Sequence, residues 1–245
     1  MRINVVVKHK ITKAEVQGAH EEKEQNHAAL QHLFQQWRSS GMTTFEQFRT
    51  AELSAVGELI ISLRGGKFYE DLPPPTSMLQ ILLQAVMYND DFRRFAGCFF
   101  GVREGGNPSV EDREQKIREY FASGVALQVP FLSLASGFAA HLAQRVGQNP
   151  AMKAKTSDII DILFMSLLLP YSDAVLMEGK WQRALEVEPL KSALSYKAKT
   201  YSVDNMEEFF EYLDRVEAAA PQHVREKVKE VYGDPEPFYS VCDFG

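Results

Sequence analysis

Cysteine is nearly absent from this sequence: Cys98 and Cys242 are the only two in 245 residues. That excludes a disulfide framework and a thiolate zinc site, both of which need more sulfur at short spacing. Long hydrophobic runs are missing as well. The opening MRINVVVKHK carries three valines between charges, too few for the core of a signal peptide. The longest apolar zone, Val125 to Leu142, is broken by Pro130, Gly137 and His141. It falls short of the ~20 apolar residues that a membrane span needs. No membrane partner and a cytoplasmic location are therefore expected. Positive charge is also in deficit, with 27 Lys+Arg against 33 Asp+Glu and a net charge of −6. That removes any whole-chain argument for nucleic-acid binding, although a local basic groove stays open.

What is present is ordinary for a globular chain. Hydrophobic residues make up 45 % and charged residues 24 %, enough for a sizeable core. Leu30, Leu33, Phe34 and Trp37 recur at helical spacing within a polar helix expected from Thr12 to Ser40. Further helices are expected at Thr44–Leu63, from Thr76 or Ser77 to Met87, at Val110–Tyr120 and at Phe131–Val146. The loop Lys67–Pro75 and the GVREGGNP break at Gly101–Pro108 separate them. Ile3–Val7 reads as a short strand.

After about residue 150 the pattern changes to strand–helix alternation. Ser157–Leu169 is helical and almost wholly apolar, which implies burial on all sides. Asp173–Met177 reads as a buried strand, Gly179–Leu185 as a short helix, Lys199–Val203 as a second strand and Met206–Val216 as a helix. This order implies a small parallel sheet flanked by helices in a helix-rich α/β fold. A single domain over 1–233 follows, with a helical part at 1–150, a motif-bearing part at 151–220 and a tail at 234–245.

The chemistry-bearing stretch is SDIIDILFMSLLLPYSDAVLMEGKW, Ser157 to Trp181. Asp158 and Asp161 are three apart and share a helix face. Carboxylates on an apolar helix repel each other and lose hydration unless a cation or strong donors compensate. Glu178 follows a strand directly, at the carboxyl edge where ligands sit in open α/β sheets. Convergence of these acids would make an oxygen-ligand site for Mg²⁺ or Mn²⁺. Structural alternatives exist: Asp158 suits a helix N-terminus next to a Thr156 or Ser157 cap, and Asp173 suits the turn at Pro170–Ser172.

The same stretch resembles the C-terminal half of the PIN-like nucleases, closest to longer bacterial uncharacterised members. Asp158, Asp161, Pro170, Tyr171, Asp173, Glu178, Lys180 and Trp181 stand at matching places. Ser172 replaces the usual Cys, and Met177 replaces the Thr before the acid. Ala198–Leu213 resembles the family's last strand and helix, so the likeness covers about a quarter of the chain. It implies a PIN-like sheet and a Mg²⁺- or Mn²⁺-dependent phosphodiesterase acting on RNA. Asp158, Asp161 and Glu178 would be catalytic metal ligands, with Asp173 as a further ligand.

Lys180, Arg183 and Lys155 would meet substrate phosphates, since residues 151–200 carry a net +1 against −7 elsewhere. The chain departs from the family at its first strand, where RINVVVKHK contains none of the usual Asp. Glu15, Glu46, Glu52 or Glu58 could match the family's second acid, with no motif to choose among them. The departure leaves three readings: a degenerate nuclease kept for binding, an acid supplied by an upstream segment or a protein partner, or a non-catalytic helical interaction module. Weaker patterns exclude themselves: His20-Glu21-Glu22 lacks the second histidine of a zinc-protease motif, and Gly105–Pro108 lacks the lysine of a phosphate loop.

Overall fold

Three helix starts in this chain are set by local hydrogen bonding that its sequence announces. Gln47 N–H donates to Thr44 Oγ1 at 3.3 Å while Gln47 Oε1 accepts from Thr44 N–H at 3.1 Å, a reciprocal cap. Ser109 and Asp112 form a second capping box. Ser77 Oγ accepts from Gln80 N–H at 3.1 Å. The computed structural model describes residues 27–63, 75–86, 109–153 and 155–233. Several expectations lie outside them: the strand at Ile3–Val7, the start of the first helix, most of the Lys67–Pro75 loop, Gly101–Pro108, Glu15, the His20 cluster, both cysteines and the tail.

The described elements are α1 (helical over 27–39), α2 (Phe45–Leu63), α3 (Met78–Val86), α4 (Val110–Ala122), α5 (Pro130–Gln148) and α6 (Thr156–Leu168). Then follow β1 (Ala174–Leu176), α7 (Gly179–Leu185), α8 (Leu190–Ala193), β2 (Lys199–Tyr201), α9 (Met206–Ala219) and α10 (Gln222–Tyr232). Boundaries agree with the sequence expectations to within a few residues. The sequence expectations include neither α8, a single turn, nor α10, whose Val224, Val228 and Val231 recur at helical spacing.

The core is helical. Leu30, Leu33, Phe34 and Trp37 of α1 are buried, as their spacing implies. Helix α2 packs on α3, α4 and α5, and α5 in turn packs on α6. Arg49 of α2 crosses to the other half of the molecule: its guanidinium donates to the Ser133 carbonyl at 3.1 Å and to the Ala193 carbonyl at 3.4 Å. At the same seam Gly137 of α5 lets Leu194 approach so closely that a Cβ would stand 2.5 Å from Leu194 Cδ2.

The sheet is small and parallel, as expected. β1 and β2 pair in the register Ala174↔Lys199, Val175↔Thr200 and Leu176↔Tyr201, with α7 and α8 on the crossover. Met177 N–H donates to the Tyr201 carbonyl at 2.8 Å, so Glu178 leaves the strand end in a defined direction.

Helix α6 departs from its expectation in two ways. It is buried on one side only, through Asp158, Ile159, Ile162, Met165 and Ser166. Ile160 and Phe164 are more than half exposed. The cause is packing geometry: α5 and α3 meet one face of α6, and apolar composition alone does not recruit a neighbour for the other. Its N-cap is also Lys155, with no side-chain cap, rather than Thr156 or Ser157.

Candidate functional site

Three carboxylates converge on one ammonium. Lys180, in the first turn of α7, places Nζ 2.7 Å from Asp158 Oδ1, 2.8 Å from Glu178 Oε2 and 3.3 Å from Asp161 Oδ2. The two aspartates come from successive turns of the same face of α6. Glu178 is the N-cap of α7, at the carboxyl end of β1. The helix period thus unites the aspartates, and the strand end delivers Glu178 and Lys180 to them.

The surroundings are partly closed. Asp158 is almost fully buried, and the Lys180 side chain is 31 % exposed. Trp181 donates its indole N–H to Asp161 Oδ2 at 3.2 Å. Its ring is buried edge-on to Phe138 of α5, with centroids 5.5 Å apart. A core aromatic contact therefore fixes the position of a site carboxylate. Burial works against the Lys180 charge, yet the hydrogen bonds to Asp158 and Glu178, the Asp158 charge and the Asp161 hydrogen bond outweigh it. The ammonium is held above its ordinary pKa.

Asp158, Asp161 and Glu178 are thus brought together. Asp173 is not with them: it stands at the opposite end of β1 and pairs with Lys197. Arg183 is exposed and pairs with Asp204. Lys155 is exposed and lines a concavity that Asp158 and Lys180 also line. Lys180, expected from local charge to meet substrate phosphate, is engaged by the acids instead, because it is the nearest cation able to compensate them. The indole bond of Trp181 was not read from the sequence; the adjacency Glu178–Lys180–Trp181 was its only trace.

The earlier acids have other partners. Glu52 of α2 is buried and accepts the Met78 and Leu79 N–H groups of α3 at 3.1 and 2.8 Å. Glu58 pairs with Arg118 at 2.8 Å, and Glu46 is exposed on α2.

Hard carboxylate oxygens from Asp158, Asp161 and Glu178 are the donor type that Mg²⁺ and Mn²⁺ take. One lysine against three carboxylates leaves a net negative focus, so the donor set fits a divalent cation in kind. Its spacing is that of an ammonium site, wider than the ~2.0–2.2 Å of such metal bonds. Among the described residues no group of three or more acidic, histidine or cysteine side chains stands at metal-ligand geometry. A divalent ion would share these oxygens only by displacing Lys180 Nζ.

No family model, no curated protein and no solved structure matches this chain. Among the described residues no helix is long and apolar enough to cross a membrane.

Proposed function

We propose that this chain is a PIN-like protein related to Mg²⁺- or Mn²⁺-dependent ribonucleases. Asp158, Asp161 and Glu178 form its cation-binding centre, and RNA is the class of substrate. The observation that supports this most is the focusing of acids from α6 and from the end of β1 on a single cation. Nothing in local structure demands that convergence. Carboxylates on an apolar helix cost stability unless a cation compensates them, and here Asp158 is buried and Asp161 partly exposed at one cation.

A divalent ion held by Asp158, Asp161 and Glu178 would supply orientation of water and stabilisation of phosphate charge. The protein's own contribution is positional. Trp181 holds Asp161, the α6 backbone holds both aspartates on one face, and Lys180 keeps the carboxylates from repelling one another. Lys180, once released, is placed to neutralise a phosphate oxygen next to the acids.

The second reading is a non-catalytic helical interaction protein, and Lys180 itself favours it. An ammonium already bonded to three carboxylates takes the structural place of a cation, so the cluster needs no metal. Calorimetric Mn²⁺ titration and an RNA-cleavage assay on wild type and Asp161→Ala separate the two. Saturable Mn²⁺ binding and metal-dependent cleavage, both lost in Asp161→Ala, are expected for the nuclease reading. Absence of Mn²⁺ binding in both wild type and Lys180→Met would leave only the interaction reading.

A further inference from the structure

Beside the acidic cluster lies a cavity of about 250 Å³, between the end of α5, the loop that follows it and the start of α6. Arg145, Lys153, Lys155 and Lys180 line it, with Trp181, and among the described residues Asp158 is the only acid lining it. Asp158 is paired with Lys180 at 2.7 Å, an ammonium that Asp161 and Glu178 share from the far side. Arg145, Lys153 and Lys155 are exposed and have no ion-pair partner among the described residues. Three unneutralised cations around one concavity are an exception in a chain of net charge −6. Their mutual repulsion disfavours the arrangement unless an anion compensates it.

The backbone adds to the same field. Lys155 is the N-cap of α6, and no side chain caps this helix. The positive end of its dipole therefore lies beside Lys155. The volume is small beside ordinary organic-ligand pockets of about 300–1,000 Å³, which suits a phosphate group with part of its sugar better than a larger ligand.

We propose that this cavity is a phosphate subsite. Arg145 presents a forked guanidinium suited to two phosphate oxygens, and Lys153 and Lys155 contribute point charges. It shares Asp158 and Lys180 with the acidic cluster, so a bound phosphate neighbours the one presented to the carboxylates. The anion is argued from the cavity itself; its membership of an RNA strand rests on the PIN-like reading. The phosphate is either a terminal monoester or an internal diester, and both present the same oxygens.

The test is titration of inorganic phosphate into the full chain at low ionic strength, read by ³¹P line broadening. Saturable binding is expected, weakened about tenfold or more in Arg145→Gln/Lys153→Gln. Arg215→Gln, a charge removed from exposed α9, is the control and leaves it unchanged. Both cavity side chains are exposed, so this double variant removes charge without disturbing the core. No saturable phosphate binding, or equal binding by the double variant and wild type, overturns the subsite.

Asp161→Asn separates this inference from the metal reading, since it is expected to lose Mn²⁺ while keeping phosphate. A 5′-phosphorylated oligoribonucleotide that binds tighter than its 5′-hydroxyl counterpart assigns the subsite to a terminal monoester. Equal binding, still lost in the double variant, assigns it to the strand backbone.

Discussion

Lys180 Nζ lies 2.7 Å from Asp158 Oδ1, and this pair ties the first turn of α6 to the first turn of α7. Asp158 is 5 % exposed and Lys180 31 %, so the contact is only partly screened by water. Asp161 and Glu178 join it from either side. The hub couples the helical part of the chain to the strand–helix part.

Lys180→Met leaves three neighbouring carboxylates without their cation. A buried pair broken on one side costs about 3–5 kcal/mol. A third of this lysine is exposed, so about 1–2 kcal/mol is expected in urea denaturation at neutral pH. Millimolar Mn²⁺ is expected to return part of that loss in the variant, by binding the native state. The pH dependence also has a definite sign. Lys180 is held above its ordinary 10.5, so its contribution is complete below that value and is lost as pH rises past it. The difference between wild type and Lys180→Met is therefore flat from neutral to mildly alkaline pH and shrinks beyond.

His141 on α5 gives an acid-side dependence. Burial, with a smaller contribution from the Arg145 charge, lowers its pKa from 6.5 to about 4. Its Nδ1 is buried with no hydrogen-bond partner among the described residues. Between those two values the unfolded chain binds the proton and the native chain does not. Stability is therefore complete above about 6.5 and is lost as pH falls toward 4. Wild type is expected to lose about 2 kcal/mol relative to His141→Phe over that window. An NMR titration of His141 with a midpoint near 6.5 would contradict this.

Glu52 works in the opposite direction. Burial raises its pKa from 4.5 to about 7, against the Leu79 and Met78 backbone N–H groups and the Ser77 hydroxyl. The native state thus retains a proton that the unfolded state has released. Its contribution is complete below about 4.5 and declines as pH rises through about 7. Glu52→Gln removes this titration, so the decline between those limits is expected to disappear, while its amide keeps an acceptor for only one of the two N–H groups. Glu52→Ala instead leaves the N–H groups of Met78 and Leu79 without an acceptor. A loss of about 1–3 kcal/mol is expected at any pH.

Two glycines of α5 are predicted to respond oppositely to alanine. At Gly137 a Cβ would meet Leu194 Cδ2 at 2.5 Å, in a seam where Leu194 is itself buried. Overpacking of about 1–3 kcal/mol there exceeds the helix-propensity gain of about 1 kcal/mol. At Gly147 the nearest neighbour is Phe48 Cζ at 3.8 Å, an ordinary contact, so the propensity gain stands alone. Thermal melts of Gly137→Ala and Gly147→Ala are expected to move down and up respectively.

Much of the local structure was legible because its causes are local. The 3.6-residue spacing from Leu30 to Trp37 places all four on one buried face. The reciprocal bonds of Thr44 with Gln47 and of Ser109 with Asp112 use residue types that mark helix starts. Pro170 ends α6 for the same kind of reason. Long-range bonds were not legible. Glu52 caps a helix 26 residues further on, and no spacing rule marks a cap supplied from that distance. The exposed Ile160–Phe164 face of α6 was misjudged because composition records apolarity and not the direction of neighbours.

By itself the sequence determined which faces of the helices are apolar, where they begin and end, and that Asp158 and Asp161 share one turn-spaced row. These properties follow from backbone periodicity and short-range hydrogen bonding. Only the tertiary structure decided that Glu178 joins them while Asp173 does not, and that the cation at their focus is Lys180. It also decided that Arg145, Lys153 and Lys155 surround one cavity. Those choices depend on how α5, α6 and β1 pack, and electrostatic energies follow distance in space, not separation along the chain.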